Sequence, residues 1–344
     1  MALRSARSVT VRRRAVSIPS VVAALCVGVL AAPVLLPAAV ALDVVRRRHR
    51  LPTVRLWAFL LQFLALELFA VTAGVLLWFG FGFGRWLHTD RSVAVHTRVQ
   101  WIWADQVLAA AGRTLGLRFE HRTTDALAPG PIVVAGRHCS YGDALLPAVL
   151  LGTRHRLQLR YVIARGLAWA PSLDVFGHRL RNHFVDRVAA TGAEQRAVTG
   201  IAAGMDHDDA AVIFPEGQFH TAARAARVLA RLERDDPHLA ARAAKLRHVL
   251  PPRPGGVLAL LEGAPAHTDV VILGHVGLEG FSTVAELWRN VPLRLPVAVQ
   301  AWRWPASAVP SSRGERVAWL YDRWEELDRW IDDELRRRAA AADA

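Results

Sequence analysis

Two long uncharged stretches near the start of the chain limit its fold more than any other feature. Val21 to Leu42 contains no charged residue. At ~1.5 Å per residue this run reaches roughly 33 Å as a helix, the thickness of a hydrocarbon core. Pro33 and Pro37 lie inside it and are expected to kink it. A second run, Leu56 to Phe83, has only Gln62 and Glu67 as strongly polar members. Residues 1–88 therefore read as a basic arm (Arg4, Arg7, Arg12, Arg13, Arg14) followed by two membrane-associated helices, and residues 89–344 as the main domain. Three arrangements fit: two full spans, a re-entrant or shallow hairpin, or a cleaved leader ending near Ala39-Val40-Ala41. The linker Arg46-Arg47-Arg48-His49-Arg50 favours the cytoplasmic side, which two full spans would deny it. Glu67 reads as a snorkelling or helix-packing residue.

The net charge is +13 and 53% of residues are hydrophobic. That combination points to an anionic lipid surface or a phosphorylated substrate. No nucleic-acid-binding module is recognisable, so nucleic acid is not expected as a partner. The two cysteines, Cys26 and Cys139, lie in unlike surroundings. They suggest neither a disulfide framework nor a zinc site, and the folded part is expected in the reducing cytosol.

Beyond Arg85 the pattern changes. Trp101 to Leu115 reads as an amphipathic helix. Expected strands are Pro131–Ala135, Leu159–Ala164, His183–Asp186, Ala211–Phe214 and Asp269–Leu273. Helices are expected at Asp143–Leu151, Ala193–Met205 and Ala223–Leu246. Alternation of this kind predicts an α/β domain around a mostly parallel sheet flanked by helices. Glu315 to Arg338 reads as a C-terminal amphipathic helix packed on the domain.

Three segments carry candidate chemistry. In Arg137-His138-Cys139-Ser140-Tyr141-Gly142-Asp143, an apolar strand runs into an apolar helix. Residues five apart do not share a helical face. His138 should therefore sit in the connecting turn, with Gly142 letting the chain fold back and Asp143 reaching the imidazole. A carboxylate on Nδ1 fixes the tautomer and leaves Nε2 to take a proton from an alcohol. Backbone N–H groups after Gly142 are candidate oxyanion donors. In Phe214-Pro215-Glu216-Gly217 a strand ends in a tight turn, with Glu216 placed to bond a substrate hydroxyl or an Arg. In Phe184-Val185-Asp186-Arg187 the Arg at a strand end is a natural phosphate clamp.

In this order the segments resemble the glycerophosphate/lysophosphatidic acid acyltransferase family. His138 and Asp143 match its His-x4-Asp block. Gly177, Phe184 and Arg187 match its second block loosely. Phe214, Pro215, Glu216 and Gly217 match its third, and Val270 to Leu273 stands for its apolar fourth. The resemblance covers roughly Trp101 to Leu278, and a two-helix membrane motif is also known in the family. It implies transfer of an acyl chain from acyl-CoA or acyl-ACP, as co-substrate, to the free hydroxyl of 1-acyl-glycerol-3-phosphate, giving phosphatidic acid. It implies His138 and Asp143 as catalytic. It implies Arg187, Phe214, Pro215, Glu216, Gly217 and Ser140 as substrate-binding, with neither metal nor other cofactor. Partners would be the lysophospholipid, the thioester and anionic membrane lipids, and the catalytic domain would face the cytoplasm at the plasma membrane.

Two departures matter. The third block usually continues Thr-Arg, with that Arg on phosphate, but here Gln218-Phe219 follows. Arg187 or a later basic residue such as Arg224 must compensate, or the acceptor is another lysolipid, of lysocardiolipin or lysophosphatidylinositol type. The first block usually opens with Asn, where this chain has Arg137. The stretch from Lys245 to Arg253 looks like the Leu-Pro-Arg segment of the longer, lysocardiolipin-type branch. Its charges suit a CoA phosphate, an anionic membrane or plain solvent. Cys139 beside His138 also raises an acyl-cysteine intermediate, although direct transfer is what the resemblance implies.

Overall fold

The computed structural model describes residues 2–121, 125–186 and 192–343. Its strands are β1 (Phe119–His121), β2 (Ile132–Gly136), β3 (Gln158–Ala164), β4 (His183–Val185), β5 (Asp209–Ile213), β6 (Asp269–Val276) and β7 (Val297–Trp304). The chain forms two compact units. Unit 1 holds residues 1–117, 163–187 and 288–294; unit 2 holds residues 118–162, 188–287 and 295–344.

In unit 1, the uncharged run Val21–Leu42 is not one helix. Helices Ala2–Leu30 and Ala32–Val45 meet at Ala31, with Pro33 in the first turn of the second, where a missing N–H costs nothing. Helix Pro52–Gly80 follows. Val9–Leu30 and Pro52–Gly80 are both long and apolar enough to cross a membrane. They approach closely at Gly28, where an added Cβ would lie 2.5 Å from Leu61.

The arm is part of the first helix, and Arg13 and Arg14 pair with the buried Asp174, the second at 2.7 Å. Those two charges are thus spoken for within the protein. Glu67 is buried and accepts from Ser172 N at 3.0 Å and Ser172 Oγ at 2.5 Å, a packing role. The basic linker turns through left-handed Arg47 and Leu51, and Arg48 lies 4.8 Å over the Trp288 ring. Helix Asp90–Leu115 starts well before Trp101 and belongs with the apolar helices, not with the sheet. Trp103 packs edge-on to Phe63, Arg113 donates to Gln62, and Arg55 donates to the Thr114 carbonyl. These contacts place the unit's edge at residue 117, where residue 88 was expected.

Unit 2 is a mixed, mostly parallel sheet in the order β1-β7-β6-β2-β5-β3, flanked by helices. Only the β6–β7 pair is antiparallel. The central strands β2 and β5 are buried along their length, which suits the apolar runs Ile132–Gly136 and 210–213, with the buried Asp209 at the start of β5 paired to Arg160 at 2.6 Å. β1 and β7 were not foreseen; β7 lies in the Trp-rich region and alternates in burial toward its end. Helix Arg313–Asp343 packs on the sheet, burying Trp324, whose Nε1 donates to the Leu250 carbonyl at 3.0 Å.

Two expected helices differ. Ala223–Leu246 is broken into Ala222–Asp235 and Pro237–Ala243, because Pro237 has no N–H and Asp236 caps the second helix through Leu239 N. Asp143–Leu151 is instead a 3₁₀ turn (Tyr141–Ala144), one α turn (Leu145–Pro147) and a π-helix (Ala148–Arg154). Pro147 removes a donor from the ladder, and wider π spacing follows it.

Candidate active site

The register of three adjacent strands builds the site. In the parallel pairs Gly136 faces Leu273 and Ala135 faces Ile213. Counting on, His138 stands level with His275 of β6 on one side and with Glu216, just past β5, on the other. Unit 2 thus gathers the first and third blocks at the carboxyl ends of its strands, where ligands bind in open α/β sheets.

His138 is held from three directions. Its Nδ1 lies 3.2 Å from Asp143 Oδ2, which leaves Nε2 as the second ring nitrogen. Its backbone N–H donates to Glu216 Oε1 at 2.7 Å. The ring stacks on Phe214 at 4.7 Å and meets the edge of Phe219 at 4.5 Å. Tyr141, largely exposed, packs edge-on against Phe219. About a sixth of the His138 side chain (16%) is open to solvent, so a proton can be exchanged there.

Asp143 is fully buried and saturated. Oδ2 also accepts from Cys139 N at 2.5 Å and Ser140 N at 2.7 Å, and Oδ1 accepts from Ser140 Oγ at 2.5 Å. Burial alone would raise its pKa, but the His275 ring, the His138 bond and the Ser140 bond together hold it below the ordinary carboxylate value. The carboxylate therefore shapes the turn and orients the imidazole at once. Ser140 is buried, and its hydroxyl is used between Asp143 and Gly142 N (3.1 Å), so it braces the turn and is not open to substrate. Gly142 itself has no positive φ, and an added Cβ would find only ordinary contacts, so the reversal comes from the Ser140–Asp143 cap.

Glu216 is likewise turned inward. Its two oxygens take His138 N and Leu250 N (2.8 Å), so it clamps two backbone segments and does not meet a substrate hydroxyl. Burial pushes its carboxyl up to about 8, against the pull of those two N–H groups and of Arg137. Gly217 does need glycine: its φ is +69°, and an added Cβ would lie 3.6 Å from the Arg253 guanidinium. Pro215 accepts from Arg253 N at 2.9 Å, which seats the Pro251-Pro252-Arg253 segment beside the turn. Arg137 is buried and ties β2 to β6, donating to Glu279 at 2.6 Å and to the carbonyls of His275 and His248.

The second block lies in unit 1. Gly177 allows Phe184 to approach, where a Cβ would sit 2.6 Å from the ring, and Phe184 stacks on His178. Arg187 lies outside the described residues. Arg224 donates to the Phe219 carbonyl at 3.1 Å.

Sequence reasoning missed His275. It is fully buried, its Nε2 is 3.3 Å from Asp143 Oδ1, and neither ring nitrogen makes a well-aligned hydrogen bond. Burial lowers its pKa, against the pull of the Asp143 charge. The only signal was one polar side chain closing the apolar run of β6. Cys139, Asp143 and His275 offer three ligand atoms within 4.8 Å of one another, the buried group among the described residues that could hold a metal ion; the other, Asp206, His207 and Asp208, is exposed. In the buried trio the Asp143 oxygens already accept hydrogen bonds, and burial followed by the Asp143 charge pushes the Cys139 thiol well up. The trio as built is a brace for the carboxylate.

A His-x4-Asp pair thus closes one parallel strand and a Pro-Glu-Gly turn closes its neighbour. Residues 118–272 match the family model described as Acyltransferase. No curated protein matches it in sequence. Among solved structures it is similar to the 1-acyl-sn-glycerophosphate (LPA) acyltransferase PlsC from Thermotoga maritima, at 14% identity and a TM-score of 0.45, over 78% of this chain and 95% of that one.

Proposed function

We propose that this acyltransferase moves an acyl chain from acyl-CoA or acyl-ACP to the free hydroxyl of 1-acyl-glycerol-3-phosphate, with His138 as general base. The observation that carries the reading is the Nδ1–Asp143 contact at 3.2 Å. A carboxylate there disposes Nε2 to accept the hydroxyl proton as the oxygen attacks the thioester carbonyl. The C–O bond forms as the C–S bond breaks, and the proton returns to the departing thiolate. Such assistance is typically worth ~10²–10⁴-fold. Acceptor and product both live in lipid, so the two apolar helices of unit 1 fit a membrane enzyme. We place its catalytic domain on the cytoplasmic face of the plasma membrane.

A second acceptor reading rests on Phe219. An aromatic ring lies against His138 where the resembled pattern carries a phosphate-binding Arg. This favours a lysolipid whose headgroup is held elsewhere, of lysocardiolipin or lysophosphatidylinositol type. The test is thiol release by the purified full-length protein with one acyl-CoA and a panel of lysolipids. Lysophosphatidic acid should give the highest kcat/KM, and His138→Ala should abolish release while the protein still folds and stays with the membrane. Release by the His138→Ala protein at the original rate would defeat the mechanism.

A further inference from the structure

The helix Ala222–Asp235 begins five residues after Gly217, and none of its residues is fully buried. Its sequence is nonetheless sharply two-sided. Arg224, Arg227, Arg231 and Arg234 recur at spacings of three and four, which puts them in one stripe. Ala225, Val228, Leu229 and Leu232 form the other side; they are half-buried, and the helix packs on Pro237–Ala243. The apolar side is therefore partnered, while the arginine side faces out: Arg227, Arg231 and Arg234 are exposed. Among those described charges only Arg231 has an acidic neighbour within ion-pair range, Asp235 at 4.0 Å. Lys245, Arg247 and Arg253 add exposed positive charge further along the same unit. The three exposed arginines serve no packing role in a helix that already has its apolar contact.

The row is also joined to the site. Arg224, its first member, donates to the carbonyl of Phe219, and the Phe219 ring touches His138. We propose that the arginine face of Ala222–Asp235 is a docking surface for an anionic lipid bilayer, seating the His138 side of unit 2 on the headgroup layer that holds the acceptor. Positive rows are drawn to negative leaflets within about a Debye length, and salt weakens the attraction. The proposal deepens the acyltransferase reading above by assigning the surface through which lipid reaches the site, but its test does not depend on turnover.

The test uses full-length protein in nanodiscs of phosphatidylcholine, with or without phosphatidylglycerol, and follows backbone hydrogen exchange over residues 222–235. Exchange there should slow in the anionic discs alone, and the protection should vanish at high salt and in the R227E/R231E/R234E variant. R227Q/R231Q/R234Q, which keeps helix propensity, should lose it as well. Activity of both variants on a short-chain acceptor in neutral detergent should match the unaltered protein, whereas their acceptor KM in anionic discs should rise about tenfold. Equal exchange in the two kinds of disc would overturn the proposal, as would protection surviving charge reversal, or protection by an RNA oligonucleotide in place of lipid. An absence of thiol release in detergent would instead defeat the acyltransfer reading, with the exchange experiment still deciding this one.

Discussion

Replacing Glu216 by Gln separates the two forces acting on that carboxyl. Both oxygens accept a backbone N–H, from His138 and from Leu250. The Gln amide keeps one acceptor and turns an NH₂ on the other donor, which then stays buried and unsatisfied at a cost of about 1–3 kcal/mol. Burial acts in the opposite sense on the native acid. It lifts the carboxyl from 4.5 to about 8 in the folded protein. The folded state therefore binds its proton more tightly than the unfolded chain. This contribution is complete below pH 4.5 and is lost as pH rises through 8. At about 1.4 kcal/mol per tenfold in proton affinity, the loss across that window is roughly 5 kcal/mol. Gln does not titrate and carries no such slope. Thermal unfolding in detergent should thus find Glu216→Gln less stable than the native protein at pH 5.5, with the gap closing and reversing by pH 8.5. Parallel Tm curves across that range would refute the reasoning, because they would mean that the two N–H donors keep the group ionised throughout.

Asp143→Asn should lower kcat by roughly 10²–10⁴-fold with little change in KM. It should also lower Tm, since both Asp143 oxygens accept hydrogen bonds and Asn replaces one of them by an NH₂; a Tm loss without a kcat loss would confine Asp143 to folding. Cys139→Ala should retain acyl transfer, and trapping of an acyl-enzyme on the native thiol would contradict that. His275→Gln should reduce kcat by ~10-fold and shift the acid limb of the pH–rate profile, because it touches the Asp143 carboxylate and not the substrate. An unchanged profile would leave His275 as packing alone.

Much of the sheet was legible because buried parallel strands are written as short, continuous apolar runs, as in Ile132–Gly136 and 210–213. The pairing of His138 with Asp143 was legible too, because a five-residue spacing needs a turn to close it. What escaped was everything that depends on register. Glu216 and Ser140 read as substrate contacts because polar residues at strand ends usually face outward. Their inward orientation follows from lying level with, or inside, the turn that carries His138. His275 sits 137 positions from His138 in the sequence, and only the Gly136–Leu273 pairing brings them together. Helix Asp90–Leu115 was assigned to the wrong unit because its apolar stripe does not say which neighbour it covers.

The register also governs which parts of this chain tolerate insertion. His138, Glu216 and His275 belong to three strands whose pairings are locked one residue against one. A single inserted residue in β2 would carry the imidazole past its clamp on one flank and its brace on the other, and turn the strand's buried side chains to the opposite face. The helix Ala222–Asp235 lies in no such register, whereas the chain beyond it is tied down again, by Arg242 on Asp322 and Glu325 and by the Arg247 and His248 N–H groups on Asp328. Added length is therefore tolerated past Arg224 on the exposed helix, and not in the strands whose ends carry the imidazole and its two flanking groups.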